Sequence, residues 1–495
     1  MDRRIKLMGL FLALLFSILF LQLNRIQVLD ASSLANAPGN SRNITNAFSQ
    51  PRGAILTSDG QVVAETVPSN DIYHYQRTYP NGPLYADISG YQSIIYGNDG
   101  IESYYNSYLT PHNGAVNSLS SLLSPTQQVD NVILTVSSKL QLAAQSAFGS
   151  LRGAAVVLQP STGAILAMYS SPSYDPNLLA SPSGSTEIST WNSLLKNPAQ
   201  PLLARAYRRN YPPGSTFKIV TSSAVYDHNP ALATKVYPSV SSIALPDTTN
   251  RLDNYGHEVC GGQIPYLLAV SCDTGFGAIG LDLGANALSA EANSFGFNQA
   301  PPLDLYDVAK SQFPSASTFA TRLPTLAYSA IGQYDVAATP LEMAMVAGAI
   351  ANHGVMMTPH LMGEITNAQA SVVLKYSNHP WLVATSPQTA AAVTTLMEGV
   401  VKSGTAQGIA LPGIQIAAKT GTAQINLSSS NQSSPTGNDN WMVAFAPATN
   451  PTIAMAVVVP AQPGINSNST GAQYAGPIVK SLLSVALGVN SGTGG

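Results

Sequence analysis

The chain has 495 residues, 45% of them hydrophobic and 9% charged, with a formal net charge of −3. That length implies two or more domains around a large core, and the near-neutral charge excludes a nucleic-acid-binding surface, which needs clustered Lys and Arg. With two cysteines, Cys260 and Cys272, and seven scattered histidines lacking an H-E-x-x-H pattern, neither a disulfide-dense scaffold nor a metal site or other cofactor is implied.

Arg3, Arg4 and Lys6 precede an uncharged apolar run from Leu7 to Leu23, about 17 residues, which ends before Arg25. The run is short for a spanning helix and long for a signal-peptide core, and no small-residue cleavage site follows. Residues 1–24 are therefore expected to form a cytoplasmic tail and transmembrane anchor, with a cleaved signal peptide as the alternative. The positive flank stays in the cytoplasm, which puts the rest of the chain outside. Residues 25–50, rich in Ser, Asn and Ala, read as a stem. From 51 to 130, short β-type runs such as Ala54 to Thr57 alternate with turn signals such as Ser58-Asp59-Gly60, predicting a small, mainly β domain.

A new regime starts at Asn131. "VILTV" (132–136) precedes a helical segment, and "GAAVVLQPSTGAILAMYS" (153–170) reads as two strands joined at the turn Pro160 to Gly163. Ala-rich stretches from Pro340 to Asn352 and from Pro387 to Lys402 predict helices, and "NWMVAFAP" (440–447) and "TIAMAVVVP" (452–460) predict strands. Strands at both ends of a helical middle predict an α/β sandwich over residues 131–490, its one antiparallel sheet completed from both ends.

Within that domain, "YPPGSTFK" (211–218) sets Ser215 after a stiff Pro-Pro-Gly turn and puts Lys218 nearly one helical turn later. If Ser215 opens a helix, the amine can approach its hydroxyl, and free backbone N–H groups at the helix start can hold an oxyanion. An ordinary N-cap serine is the plainer reading. Ser193 and Lys196 repeat the Ser-x-x-Lys spacing, but in mid-helix before Asn197-Pro198, where a solvated face explains them. "AAKTGTAQ" (417–424) ends a strand-like run in Lys419-Thr420-Gly421, a cation and hydroxyl suited to a carboxylate beside a glycine that admits a ligand. Lys402-Ser403-Gly404 fits the same pattern at a helix end, where capping accounts for it.

Ser215-Thr216-Phe217-Lys218, Ser271-Cys272-Asp273 and Lys419-Thr420-Gly421, in that order, resemble the Ser-x-x-Lys, Ser-x-Asn and Lys-Thr-Gly motifs of penicillin-binding proteins and serine β-lactamases. The flanks "AIGQ" (330–333), "TPLEMA" (339–344) and "AFAP" (444–447) are similar to class B penicillin-binding proteins. "PRGAILTSDG" (51–60), "YP" (79–80), "ADISGY" (86–91) and "GIESYYNSYL" (100–109) are similar to that class's N-terminal, dimerisation-like pedestal domain. Length and the short N-terminal domain resemble the actinobacterial elongation- and division-linked subgroup.

The resemblance implies an α/β penicillin-binding transpeptidase fold and a bacterial, single-pass membrane enzyme that cross-links peptidoglycan stem peptides and is acylated by β-lactams. Ser215 would attack the penultimate D-Ala carbonyl. Lys218 would be its base once neutral, a state costing about 4 kcal/mol near pH 7, and Lys419 could supply the repulsion. Ser271 would relay a proton to the leaving amine, Lys419, Thr420 and Gly421 would bind the substrate carboxylate, and the N–H groups of Ser215 and Thr422 would form the oxyanion hole. A membrane-embedded glycosyltransferase of the shape-and-division type would be the partner.

Asp273 departs from the motif's usual Asn, because an ionised carboxylate only accepts hydrogen bonds. Either its charge holds Lys218 or Lys419 protonated and slows acylation, or it accepts a substrate N–H or faces solvent and the change is tolerated. A literal Ser-x-Asn, Ser429-Ser430-Asn431, lies in a low-complexity loop past the Lys-Thr-Gly strand and is set aside. In an extracytoplasmic domain, Cys260 and Cys272, twelve residues apart, are expected to pair and pin Ser271, with two free thiols as the alternative. A D,D-carboxypeptidase or β-lactamase-type hydrolase, a β-lactam sensor and a non-enzymatic scaffold are the rival classes. No Glu sits in a recognisable deacylation motif, one span is few for a sensor, and a scaffold does not explain three ordered motifs.

Overall fold

The computed structural model describes residues 2–25, 48–113, 127–425 and 437–489; the stem and the set-aside Ser429 to Asn431 fall mostly or wholly outside them. Helix α1, Asp2–Asn24, carries the apolar run with its large side chains exposed. Among the described residues, Arg3–Asn24, of mean hydropathy 2.2, is the one helix long and apolar enough to cross a membrane. It fits a single-pass anchor.

Next come β1 (Ile55–Leu56), β2 (Val62–Pro68), β3 (Tyr75–Thr78) and β4 (Asn131–Leu134), followed by the predicted hairpin, β5 (Gly153–Leu158) and β6 (Ile165–Ser171). Gly163 closes that hairpin's turn with φ +80°, a conformation that favours glycine. The helical middle holds α2 (Gly184–Lys196), α3 (Lys218–His228), α4 (Asp273–Ser294) and α5 (Pro340–Ala351), and a second hairpin, β7 (Met362–Thr366) and β8 (Val372–Lys375), follows. The chain closes with α6 (Pro387–Ser403), β9 (Ala417–Ile425), β10 (Gly437–Ala446), β11 (Ile453–Val459) and α7 (Gly471–Ala486).

Two sheets organise these elements. The first has the order β8-β7-β4-β1-β2-β3, so the β7–β8 hairpin pairs onto strands from far earlier in the chain, with Ile365 opposite Val132. The second has the order β6-β5-β11-β10-β9 and is antiparallel throughout. All of β11 and all but the first residue of β10 are buried, which requires cover on both faces. Helices α5 and α7 pack against both strands and supply it. All of α5, "PLEMAMVAGAIA", is buried, as its lack of a polar face demands. Thr339 caps it, its Oγ1 accepting the Glu342 N–H at 3.0 Å, with Pro340 in the first turn. Among the described residues strand β9 is the end strand of this sheet, and it borders the site.

Candidate active site

Ser215 lies in a single 3-10 turn, Gly214–Phe217, that runs into α3, and Lys218 is the first residue of that helix. Gly214 takes φ +53° and is pressed against β9, since a Cβ there would stand 2.9 Å from the Thr422 carbonyl oxygen. Its N–H donates to Gly332 O at 3.0 Å. Gly332, the glycine of "AIGQ", has φ +71°, and a Cβ on it would come within 2.2 Å of Gly214 O. The Trp441 indole of β10 donates to Pro212 O at 2.9 Å. The Ser215 turn is thus clamped between β9–β10 and the 330–333 segment.

Ser271 stands at the bend before α4 with φ +61°, a sparsely populated conformation for a residue with a Cβ. It sits between two fully buried lysines. Lys218 Nζ donates to Ser271 O at 2.7 Å, to Asp273 Oδ1 at 2.7 Å and, more weakly, to Ser271 Oγ at 3.4 Å. Its hydrogen bonds therefore go to the second motif and none goes to Ser215 Oγ. Lys419 Nζ is 2.8 Å from Ser271 Oγ and 2.9 Å from Thr420 O. Burial lowers the Lys218 pKa, opposed by the Asp273 carboxylate. Burial, together with the neighbouring Lys218 charge, holds Lys419 well below the ordinary lysine range.

Asp273, the first residue of α4, faces Lys218 with its side chain 16% exposed, so it is turned inward rather than to solvent. The Cys260 and Cys272 sulfurs are at bonding distance, with Cα atoms 5.9 Å apart. Thr422 pairs with Asn440 across β9–β10, and its Oγ1 accepts the Gly471 N–H at 3.3 Å. A Cβ on Gly421 would be 2.7 Å from Pro213 O, so the glycine lets the strand and the Ser215 turn touch. Ser215, Ser271, Asp273, Thr420 and Thr422 line one cavity of about 820 Å³. The two repeats of the motif spacings lie elsewhere: Ser193 and Lys196 are exposed on α2, and Lys402 and Ser403 are exposed at the end of α6.

Known proteins match this chain over almost all of its length. The penicillin binding protein transpeptidase domain family matches residues 153–484. The chain belongs to that family. The penicillin binding protein A dimerisation domain matches residues 52–132 of this penicillin-binding protein. The peptidoglycan D,D-transpeptidase PbpA of Mycobacterium tuberculosis is 35% identical over 492 residues, 96% of each chain. Its namesake in Mycolicibacterium smegmatis is 36% identical over 476 residues, 93% of this chain and 94% of that one. The ceftriaxone acyl-enzyme of M. tuberculosis penicillin-binding protein A superposes with a TM-score of 0.81 at 35% identity, covering 90% of this chain and 100% of that one. Its penicillin G acyl-enzyme gives 0.78 at 35%, covering 88% and 100%. The chain is a class B penicillin-binding protein of the actinobacterial kind, with the α/β transpeptidase fold.

Sequence reasoning passed over two of the penicillin-binding protein's site residues. Thr405 Oγ1 meets Thr420 Oγ1 at 2.6 Å; it directly follows the Lys402-Ser403-Gly404 repeat, whose position was the available signal. Asn254 Oδ1 accepts the Thr274 N–H at 2.8 Å, and its Nδ2 donates to Val240 O and Glu258 O. It ties the 254–258 segment to the start of α4, and nothing in the local sequence marks it.

Proposed function

We propose that the enzyme's peptidoglycan D,D-transpeptidase chemistry runs through a Ser215 acyl-enzyme, with the buried lysines and Ser271 moving its proton. Ser215 Oγ attacks the penultimate D-Ala carbonyl, D-Ala leaves, and an amine of a neighbouring stem peptide takes the acyl group. The observation that carries this reading is the convergence of three separate elements on one cavity: the turn before α3, the bend before α4 and the edge strand β9. A hydroxyl is a weak nucleophile until a base takes its proton, and two buried lysines with lowered pKa values supply the candidates. The Ser215 and Thr422 N–H groups serve the oxyanion, and Lys419, Thr420 and Gly421 serve the substrate carboxylate. β-Lactams acylate the same serine, a reading supported by the acyl-enzyme complexes of the M. tuberculosis relative.

The domain order is an anchor over 1–24, a stem over 25–50, a pedestal over 51–130 and the transpeptidase domain over 131–490. The positive flank of α1 supports a cytoplasmic N-terminus and an extracytoplasmic catalytic domain. The partner is a membrane-embedded glycosyltransferase met through α1 and the pedestal. The deciding experiment supplies the purified chain with a D-Ala-D-Ala-ended donor peptide and an amine acceptor. A cross-linked product with one D-Ala released per bond supports transfer, while D-Ala release with only hydrolysed donor points to a carboxypeptidase.

A further inference from the structure

The two buried lysines differ in their hydrogen-bond partners. Lys218 Nζ contacts three acceptors, Ser271 O and Asp273 Oδ1 at 2.7 Å and Ser271 Oγ at 3.4 Å. Three acceptors, one of them a carboxylate, match an ammonium, which has three N–H donors and no lone pair. Lys419 Nζ has two oxygen neighbours, Thr420 O at 2.9 Å and Ser271 Oγ at 2.8 Å, and no carboxylate. A neutral amine satisfies both, donating to Thr420 O and accepting the Ser271 O–H. One ammonium beside one carboxylate leaves the buried cluster neutral, whereas a second ammonium adds an uncompensated buried charge.

We propose that Asp273 fixes Lys218 as the ammonium in the resting enzyme, and that Lys419 is the neutral amine that takes the Ser215 proton through Ser271. This rests on Ser215 being the nucleophile. As Ser215 Oγ bonds to the carbonyl carbon, its proton passes to Ser271 Oγ while the Ser271 proton passes to Lys419 Nζ. The C–N bond then breaks, and the proton returns by the same path to the leaving nitrogen. Lys419 becomes a cation only as the oxyanion forms, so its attraction for the substrate carboxylate strengthens in the transition state.

Burial lowers both lysines and Asp273 opposes the lowering of both, but Lys218 also gains the Asp273 hydrogen bond, whereas Lys419 is lowered further by the neighbouring Lys218 charge. The charged groups around the cluster are Lys218 from α3, Asp273 from α4 and Lys419 from β9. The cavity lining adds the exposed side chains of Asp253, His257 and Glu258. In a Ser-x-Asn site no carboxylate would fix Lys218, so this division of roles belongs to the Asp273 sequence.

The test uses the full chain in detergent, labelled with 13Cε-lysine, and the rate of benzylpenicillin acylation. A lysine signal titrating below the ordinary range should vanish in Lys419→Arg, while the Lys218 signal stays charged into alkaline solution. Assignment of the low titration to Lys218 overturns the proposal. Acylation of Lys419→Arg should fall by about 100-fold or more, because guanidinium does not give up its proton. Asp273→Asn removes the carboxylate that holds Lys218 charged, so the Lys218 13Cε signal should titrate at lower pH than in the wild type. A Lys218 signal in Asp273→Asn that titrates as in the wild type would overturn the proposal. Ser215 stays labelled in that case, whereas a label elsewhere refutes the reading of the nucleophile itself.

Discussion

Asn254 offers a test of how the site is held. It is buried, and its amide makes three hydrogen bonds: it accepts from Thr274 N–H at 2.8 Å and donates to Val240 O at 2.9 Å and Glu258 O at 2.8 Å. Asn254→Ala leaves all three backbone groups without that partner. Glu258 is exposed, so its carbonyl turns to water, but Thr274 is buried and Val240 partly so. At about 1–3 kcal/mol for each of these two groups, the loss is about 2–6 kcal/mol. Thr274 follows Asp273 directly, so freeing its N–H loosens the carboxylate that pairs with Lys218, and a misplacement of about 1 Å in such a site costs on the order of 100-fold in rate. The variant should melt several degrees lower and acylate with benzylpenicillin at least about tenfold more slowly. Asn254→Asp, which keeps the acceptor for Thr274 but loses both donors, should fall between. The two measurements are a thermal melt and the pseudo-first-order acylation rate. A destabilised variant that acylates at the wild-type rate would refute the link between this segment and the motif.

Gly332→Ala forces a Cβ to within 2.2 Å of Gly214 O, so acylation should drop by at least about tenfold, whereas Gly399→Ala on α6, with open space around it, should acylate normally. Equal rates would show that the nucleophile turn is not clamped there. Burial pushes the Glu342 carboxyl up to about 8. Its folded value lies above the unfolded one, so its stabilisation is full below about pH 4 and lost as pH rises through about 8. Glu342→Gln should therefore gain in melting temperature over the wild type between about pH 5 and pH 9, and a gap independent of pH would contradict this. The unfolded, unreduced chain should show no alkylatable thiol and the reduced chain both Cys260 and Cys272; two thiols before reduction would mean that the cysteines are free.

Much of the architecture was legible because the relevant signals are local. The apolar runs of β10 and β11, the Pro-started helices α5 and α6 and the β5–β6 turn lie within a few residues of their predicted bounds. The second copies of the motif spacings lie on exposed helix surface, as their local sequence suggests, because a Ser-x-x-Lys in mid-helix has no turn to present its serine. Long-range pairing was not legible. Nothing near Ile365 says that it lies opposite Val132, a register fixed by packing two distant segments together. The partner of Lys218 was also hidden: helical spacing suggests the Ser215 hydroxyl, yet the amine turns to Ser271 and Asp273, because a buried ammonium seeks a carboxylate. Asn254 and Thr405 are single polar residues in connecting segments, and only the folded chain reveals what they touch.

The central claim is that Ser215 is the acylated nucleophile, and intact-mass measurement after incubation with benzylpenicillin tests it most directly. The wild type should gain the mass of one penicilloyl group, located on the tryptic peptide containing Ser215. Ser215→Ala should gain none, and Ser193→Ala, altered on the exposed face of α2, should label like the wild type. Labelling that survives in Ser215→Ala, or disappears in Ser193→Ala, would contradict the account.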